Sequence, residues 1–455
     1  MSTSLEAGAA TRAHVPARLA PAWTAVVIGV AALAYSTNAL LAGREPFATW
    51  YYQFAWYSVL LAGDGVIALM GAMGRRGDFL LLGKPKYLVS LLFWSAIVWY
   101  FYELLNFRLV NWYYINLPPN LGERWIATTV AFATVLPAVF VSEKILDGLR
   151  IAHNTRWKAL RINARFLRNM QLIGAAMMAL VLAWPQYFFP LVWGASMLIV
   201  EPTVYRRARE RSLLADLERG EPGRLLRLLL GGAAIGLIWE SLNIRARTKW
   251  IYTVPGLEDV KLFEMPVLGF FGFPPFAVEC FILWQAIVTA GLAAPRTTTA
   301  FPATLQRRVA GVFVAIVFCV GVLGVMERLT FTSTRPPLSA VPQVPVVALE
   351  REGFDVFKLA ASDARTIAAQ LDVASDQAQA WVDAARLIAL RGIGTDNAAL
   401  LRQAGITNVH ELAAQDPEQL VTTLERIAGE DLVDARIRVW IRGARRVTAG
   451  ARAAP

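Results

Sequence analysis

Long runs of apolar residues alternate along the chain with short polar segments. Each run has about 20 residues, the length of helix that crosses the hydrocarbon core of a membrane. The runs are Trp23–Leu41, Trp50–Met70, Tyr87–Asn106, Trp125–Glu143, Met170–Trp184, Tyr187–Tyr205, Leu225–Asn243, Met265–Leu292 and Val309–Met326. They predict an all-α membrane protein with nine spans. Gly272 and the Pro274-Pro275 pair interrupt the eighth run and predict a kinked helix there.

Much of this pattern occurs twice. Glu103 and Glu240 lie 137 positions apart, and neighbouring features recur at almost the same separation. The matching segments are Tyr102–Asn106 with Trp239–Asn243, Trp112–Tyr114 with Trp250–Tyr252, Pro118 with Pro255, Pro137–Glu143 with Pro274–Glu279, and Asp64 with Glu201. We therefore predict two tandem four-helix transmembrane repeats plus one extra span. An even number of spans per repeat gives both copies the same orientation, with a pseudo-two-fold axis along the membrane normal.

The predicted domain organisation has six parts. They are an N-terminal segment (1–21), repeat 1 (22–165), repeat 2 (166–295), the extra span (296–328), a Pro-rich linker (329–350) and a small soluble helical domain (351–455). The linker is expected to be extended because it contains several prolines.

Composition and charge favour a membrane protein over a soluble enzyme. The chain is 56% hydrophobic, and its mean hydropathy is +0.44. The net charge of +11 is uneven, because residues 351–455 hold 13 Lys and Arg against 14 Asp and Glu. The basic excess thus belongs to membrane loops, where it indicates topology rather than nucleic-acid binding. The two cysteines, Cys280 and Cys319, lie in apolar runs and predict no disulfide framework.

Three loops are rich in arginine and lysine, at residues 75–86, 144–168 and 206–227. All three fall on the same side of the alternating spans, which we predict to be the cytoplasmic side of a bacterial inner membrane. The N-terminus is then cytoplasmic. Nine spans place the soluble domain on the non-cytoplasmic side, provided that Val309–Met326 crosses.

Six acidic residues fall within the predicted spans: Asp64, Glu103, Glu143, Glu201, Glu240 and Glu279. Charged carboxylates are costly in hydrocarbon, so these acids are expected to be largely neutral and hydrogen-bonded. Carboxyls that share protons can supply both an acid and a base. We take Glu103, Glu143, Glu240 and Glu279 as candidate catalytic residues and expect them to form one cluster between the repeats. Alternatively, they are polar contacts between helices, worth about 0.6 kcal/mol each.

The remaining candidates are substrate-binding or supporting residues: Asp64, Glu201, Asn106, Asn243, Trp250 and Tyr252. Each asparagine follows a candidate glutamate by three positions, so it could orient that carboxyl or cap the end of its helix. The repeated Trp-x-Tyr motifs at Trp112 and Trp250 are more typical of an aromatic belt at the membrane surface. Glu264, which precedes a helix, is explained by the helix dipole. Neither a His pair, nor a Cys pair, nor a nucleotide loop occurs, so we predict no cofactor and no metal site.

The order of Trp239-Glu240, the Trp250-x-Tyr252 motif and Pro274–Phe281 resembles the membrane-integral lycopene cyclases of bacteria, over about Trp50–Leu146 and Tyr187–Leu292. Those proteins are built from duplicated or heterodimeric three-span units. In them, acidic residues are thought to protonate a terminal double bond of lycopene, after which the carbocation closes a ring. The resemblance implies such roles for Glu240 and Glu279, with Glu103 and Glu143 in the other half.

The soluble tail has a different resemblance. Leu387–Gly394 and the segment through Leu412 resemble helix-hairpin-helix modules, in which Gly392 and Gly394 would permit the tight turn. Such hairpins bind DNA phosphates in polymerases and ligases. The tail's slightly negative charge and its predicted location favour protein contact instead.

These observations lead to three functional hypotheses. The first is binding, and acid-catalysed cyclisation or isomerisation, of a long polyene or isoprenoid within the lipid bilayer. The second is a proton- or cation-coupled transporter that uses the same acids as a relay. The third is a non-catalytic subunit of a membrane complex whose tail docks a protein partner.

Overall fold

The computed structural model describes residues 16–74, 78–254, 260–296 and 304–453. Arg75, Arg76 and Pro255, together with the N-terminal segment up to residue 15 and residues 297–303 of the predicted extra span, lie outside the described residues. The chain is mostly helical, at 72%. Nine helical segments of the described chain are long and apolar enough to cross a membrane, which confirms the predicted series of apolar helices.

The described residues between 16 and 329 form twelve α-helices and four short strands. The helices are α1 (Pro16–Leu41), α2 (Tyr51–Ala72), α3 (Pro85–Leu109), α4 (Leu121–Phe132), α5 (Val135–Gly148), α6 (Ala164–Ala183), α7 (Pro185–Phe188), α8 (Val192–Arg207), α9 (Leu213–Glu218), α10 (Gly223–Asn243), α11 (Phe273–Thr289) and α12 (Leu305–Leu329). The strands are β1 (Trp112–Ile115), β2 (Lys249–Tyr252), β3 (Lys261–Leu262) and β4 (Met265–Pro266).

The predicted eighth helix begins later than expected, although the structure is helical over Val267–Thr289 and changes helix type at Gly272, where the interruption is predicted. Its first residues, Met265–Pro266, form strand β4, which pairs with β3. A 3-10 turn over Val267–Gly272 follows, and α11 begins at Phe273. Pro274 therefore lies in the first helical turn, where a missing backbone N–H leaves no hydrogen bond unmade.

Helices at equivalent positions of the sequence repeat make equivalent contacts. Helix α1 packs on α2, as α6 packs on α8; α2 packs on α5, as α8 packs on α11; and α3 packs on α5, as α10 packs on α11. The two halves meet where α5 packs on α10 and α11 packs on α3. The largest apolar core of the described residues spans both halves, since it includes Trp56, Leu136, Trp239 and Phe281.

Strands β1 and β2 join the two halves as an antiparallel pair. Trp112 lies opposite Tyr252, Tyr113 opposite Ile251, and Tyr114 opposite Trp250. Each tryptophan of one motif thus faces the tyrosine of the other. The aromatic-belt interpretation is wrong for the first motif, because Trp112 and Tyr114 are buried.

The predicted linker begins as an extended segment that is bound to β1. Phe331 bridges to Tyr114 and Thr334 to Leu117, both in parallel orientation. The Tyr114 backbone N–H donates to the Thr330 carbonyl at 2.8 Å, and Thr332 returns a bond to the Tyr114 carbonyl at 2.9 Å. The linker therefore fixes where the tail begins.

The tail is a compact group of eight helices over its described residues. They are α13 (Val346–Arg351), α14 (Val356–Ala360), α15 (Ala364–Leu371), α16 (Ser375–Ala389), α17 (Gly394–Gln403), α18 (Val409–Ala413), α19 (Pro417–Ala428) and α20 (Asp434–Ala453). A short turn, Leu390–Gly392, joins α16 to α17, with Arg391 and Gly392 in the left-handed region. This is the turn that the spacing of Gly392 and Gly394 predicts.

The tail also contains a sequence repeat of its own. Buried residues recur 53 positions apart, as Val356 with Val409, Leu359 with Leu412, and Ile367 with Leu420. Asp363 and Asp416, also 53 apart, each accept hydrogen bonds from the first backbone N–H groups of the following helix. The two copies thus build α14–α15 and α18–α19 by the same capping and burial pattern.

Candidate functional site

Glu103 is completely buried near the end of α3, where the first Trp-x-Tyr motif surrounds it. Its Oε1 accepts hydrogen bonds from the Tyr114 hydroxyl at 2.6 Å, the Trp112 indole at 2.9 Å and the Trp99 indole at 3.0 Å. Trp99 lies four residues before Glu103, on the same face of α3. Strand β1 and helix α3 thus hold the carboxyl in one orientation.

Glu240 occupies the equivalent position on α10 and is also completely buried. The Tyr252 hydroxyl donates to its Oε1 at 2.9 Å. Glu240 and Glu103 each retain a second carboxyl oxygen that is buried and has no hydrogen-bond partner among the described residues. Each motif tyrosine therefore binds the glutamate of its own half.

The asparagines after these glutamates hold the Trp-x-Tyr strands. Asn106 Nδ2 donates to the Trp112 carbonyl at 2.9 Å, and Asn243 Nδ2 donates to the Trp250 carbonyl at 3.0 Å. The Asn243 Oδ1 accepts from the Trp250 N–H at 3.2 Å. These amides orient the carboxyls indirectly, by fixing the strands that carry the hydroxyl donors.

A cavity lies beside these carboxyls, between the two halves. Its unfilled space, including the solvent at its open mouth, is about 1240 Å³. About half of the residues in its walls are aromatic, and these include the carboxyl partners Trp99, Trp112, Tyr114 and Tyr252. Glu103 and Glu240 thus lie behind the cavity wall, and each accepts a hydrogen bond from a side chain of that wall.

Glu279 on α11 is buried and connects three helices. Its carboxyl accepts from the Tyr102 hydroxyl on α3 at 2.6 Å and from the Met197 N–H on α8 at 3.1 Å. Tyr102 in turn packs on Trp193 and Phe276, two aromatic residues of the cavity wall. Glu279 therefore supports the cavity from behind.

Glu143 belongs to a different group, although the sequence predicts it in the same cluster. Its carboxyl pairs with Arg227 at 2.8 Å, and Arg227 also contacts Asp147 at 3.4 Å. Asp147 pairs with Lys144 at 2.7 Å. None of these side chains lines the cavity. An ion pair at the end of the helix satisfies Glu143 and leaves it with a structural role.

Asp64 and Glu201 hold the backbone that follows their helices. Asp64 accepts from the N–H groups of Leu80 and Leu82 at 2.6 and 2.9 Å. Glu201 accepts from the Ser212 hydroxyl at 2.6 Å and the Leu214 N–H at 2.9 Å. These bonds satisfy buried donors of the connecting segments, so the two acids support the fold rather than the cavity.

The tail docks beside this site through Glu264, a buried acid between β3 and β4. Glu264 pairs with Lys249, which lines the cavity, and with Arg391 in the α16–α17 turn. Burial raises the pKa of Glu264, but the two cations outweigh that effect and hold it below the usual range. A helix dipole is therefore the wrong explanation for Glu264. The adjacent Gly392 packs on Ile115 of β1, so closely that an added Cβ would lie 2.1 Å from the Ile115 side chain.

Sequence reasoning missed several cavity residues. Tyr52, Gln53, Trp99 and Trp193 all line the cavity. The spacing of Trp99 and Glu103 is a signal for their contact, and Gln53 is a polar residue near the start of an apolar run. Among the described residues, no three His, Cys, Asp or Glu side chains come together in a way that could hold a metal ion.

Comparison with known proteins concerns only the tail. Residues 355–446 match the family model described as "Domain of unknown function (DUF4332)". No curated protein and no solved structure matches the chain. The match lies within the predicted soluble domain, so the tail is similar to a module with its own family model.

Proposed function

We propose that this protein binds a long apolar isoprenoid or polyene in the aromatic cavity and isomerises it by acid catalysis, in the manner of a lycopene cyclase. The observation that carries the proposal is a cavity between the two halves whose wall supplies hydrogen bonds to Glu103 and Glu240. Aromatic walls exclude water and face a carbocation with the electron-rich faces of their rings. The resemblance to the cyclases supports the same chemistry.

The proposal includes an architecture of two tandem repeats in a bacterial inner membrane. The equivalent helix contacts and the symmetric pairing of β1 with β2 support it. The cavity then lies on the pseudo-two-fold axis, where membrane proteins with repeated halves place their ligand sites.

The reaction needs one proton, which the acid supplies at the start and regains at the end. A carboxyl proton passes through the hydroxyl of Tyr114 or Tyr252 to the terminal double bond of the polyene and leaves a tertiary carbocation. The π electrons of a nearby double bond form the ring C–C bond. Loss of a proton from the new ring restores the acid, so atoms and electrons balance without an oxidant. A protonated carboxyl can donate to a tyrosine oxygen, which reverses the hydrogen bond and permits this relay.

The local partners of the acids favour a ligand site over an ion pathway. Glu143 is held by Arg227, while Asp64 and Glu201 are held by backbone N–H groups. Of the six acids in the predicted spans, all of which the structure describes, only Glu103 and Glu240 are bonded to side chains of the cavity wall. A relay across the membrane would instead require a continuous series of exchangeable groups.

The test is conversion of lycopene in a carotenoid-producing host by the parent and by Glu103→Gln and Glu240→Gln variants. Glutamine keeps the shape and accepts the tyrosine hydrogen bond but carries no acidic proton. We expect at least one of these substitutions to lower turnover by about 10²-fold or more. The matched control is Glu201→Gln, which changes a buried glutamate remote from the cavity wall.

Protein levels are measured in the same membranes, so that loss of folding is separated from loss of chemistry. Equal conversion by the parent and both cavity variants would contradict acid catalysis by these residues. A parent that neither converts nor binds the polyene would contradict the proposed function as a whole.

A further inference from the structure

Several polar side chains of the cavity wall lie towards one end. Besides tyrosines and tryptophans, they are Gln53, Asn111, Thr128, Thr248 and Lys249. Helix α2 begins just before Gln53, and α3 ends just before Asn111, so both residues lie at the end of the helical bundle that carries β1 and β2. The rest of the wall includes apolar side chains such as Val135, Phe273 and Phe276. The cavity therefore has an apolar body and a polar end.

Two of the polar groups at this end have partners within the fold. The Thr248 hydroxyl donates to the Asn116 carbonyl at 2.7 Å. The Lys249 ammonium pairs with Glu264 at 2.9 Å. Neither group needs a ligand to satisfy it.

Gln53 and Asn111 differ in this respect. Their side-chain oxygens are buried, and within the described ranges neither has a hydrogen-bond partner. Gln53 Nε2 donates to the Ala127 carbonyl at 3.0 Å, which settles which end of the amide is the oxygen. Gln53 is 8% exposed and Asn111 is 3% exposed. A buried acceptor without a donor is costly, so this end of the cavity is suited to a ligand that brings one.

The chemistry of the site restricts that donor. A cationic amine would have to leave water for an apolar cavity in which the nearby Glu264 is already paired with two cations. A hydroxyl is neutral, donates one hydrogen bond and accepts others. An unsubstituted hydrocarbon offers no donor and would leave both amide oxygens unsatisfied.

We propose that the ligand is an isoprenoid or polyene whose end group carries a hydroxyl, which donates its one hydrogen bond to Gln53 Oε1 or to Asn111 Oδ1. Its hydrocarbon portion lies against the aromatic wall. This inference rests on the proposed function and names the substrate class that the site selects. It assigns Gln53 and Asn111 as specificity-determining residues.

The test compares two probes that differ in the hydroxyl. They are lycopene and its hydrated derivative, in which water has been added across one terminal double bond. Binding to the purified full-length protein in lipid nanodiscs is followed by quenching of tryptophan fluorescence, because five tryptophans line the cavity: Trp99, Trp112, Trp193, Trp239 and Trp250. We expect the hydroxylated probe to bind about tenfold more tightly, the value of one good hydrogen bond.

The variants Gln53→Leu and Asn111→Ser should bring the affinity ratio towards one while hydrocarbon binding is retained. Gln171→Leu is the matched control, because Gln171 also donates to a backbone carbonyl, that of Ile199, away from the cavity wall. Equal binding of both probes by the parent would overturn this inference and leave the proposed function standing. Binding of neither probe would overturn both. The comparison of probes on the parent protein does not depend on how the variants fold.

Discussion

At the residue scale, Glu264 connects the cavity to the tail. One carboxylate oxygen pairs with Lys249 in the cavity wall, and the other pairs with Arg391 in the α16–α17 turn. Its side chain is 1% exposed. A buried carboxylate of this kind is stable only with its cations in place, so the position of the tail and the position of Lys249 depend on the same group.

The lowered pKa of Glu264 predicts a loss of stability in acid. Because its pKa is lower in the folded protein than in the unfolded chain, the carboxylate stabilises the fold at pH values above about 4.3. That stabilisation is lost as the pH falls through the lowered value. We expect Glu264→Gln to lower the thermal midpoint at pH 7, through a loss of about 1.5–3 kcal/mol, and to be closer to the parent at pH 3.

The measurement is the midpoint difference between the parent and Glu264→Gln across this pH range. Glu327→Gln is the control, since Glu327 forms an ion pair with Arg124 and does not contact the α16–α17 turn. A midpoint difference that is equal at pH 3 and pH 7 would show that Glu264 is not the titrating group.

The chemistry of each site residue determines whether the sequence predicts its role. Glu103 and Glu240 are recognisable because acids are rare in apolar spans. The Trp-x-Tyr repeat identifies their tyrosine partners. It does not predict that these tyrosines bind the glutamates, because aromatic residues near span ends are also typical of a membrane interface. The pairing of Glu143 with Arg227 depends on helix packing between residues 84 positions apart, which a local pattern does not contain.

At the scale of elements, the α16–α17 turn docks on strand β1. Gly392 packs on Ile115, and Gly394 packs on Ser333 of the bound linker. The Tyr113 hydroxyl donates to the Arg391 carbonyl at 3.3 Å. In a helix-hairpin-helix module these glycines would approach a DNA phosphate. Here they pack on strand β1 and on the linker. The turn therefore makes an intramolecular contact with β1 and the linker.

Gly392→Ala should release the tail from β1. The new Cβ would lie 2.1 Å from Ile115, and the positive φ of 73° also disfavours alanine. Gly405→Ala is a matched control, because Gly405 has a φ of 81° but nothing within 4 Å of an added Cβ. We expect faster hydrogen exchange in residues 112–117 and 330–335 of Gly392→Ala than of Gly405→Ala. Equal exchange in the two variants would mean that backbone strain, rather than docking, explains the effect.

The elements themselves differ in how far a sequence specifies them. Apolar length predicts the spanning helices, including Val309–Met326, which corresponds to α12. The break between α4 and α5 and the 3-10 turn before α11 occur inside apolar runs, so hydropathy does not reveal them. The repeat within the tail is present in the sequence, because Asp363 and Asp416 recur together with the apolar positions around them.

At the scale of the whole molecule, the second and third loops rich in arginine associate with one another. The Trp157 N–H donates to the Gly220 carbonyl at 3.1 Å, and the Leu160 N–H donates to the Leu217 carbonyl at 3.0 Å. The second and third basic loops therefore share one end of the bundle, as the alternation of spans predicts. Strands β1 and β2 follow the other ends of α3 and α10, and the tail docks there.

This arrangement leads to a prediction about topology. Basic loops remain in the cytoplasm, so we expect the tail, which docks at the opposite end of the bundle, to lie on the non-cytoplasmic side. A reporter that is active only in the cytoplasm should be silent when fused after Thr448. The same reporter fused after Glu210, in the third basic loop, should be active and serves as the control.

Activity of both fusions would contradict the predicted orientation. It would place the tail in the cytoplasm and require that one apolar helix does not cross the membrane, with α12 the first to examine because it alone lies outside the two repeats. Such a result would also be incompatible with the docking of Gly392 on Ile115, because β1 lies at the opposite end of the bundle from the basic loops. Silence of the tail fusion together with activity of the loop fusion fixes the cavity's polar end, with Gln53 and Asn111, at the non-cytoplasmic face. A hydroxylated ligand would then reach the site with its polar end at that membrane surface and its hydrocarbon portion in the bilayer.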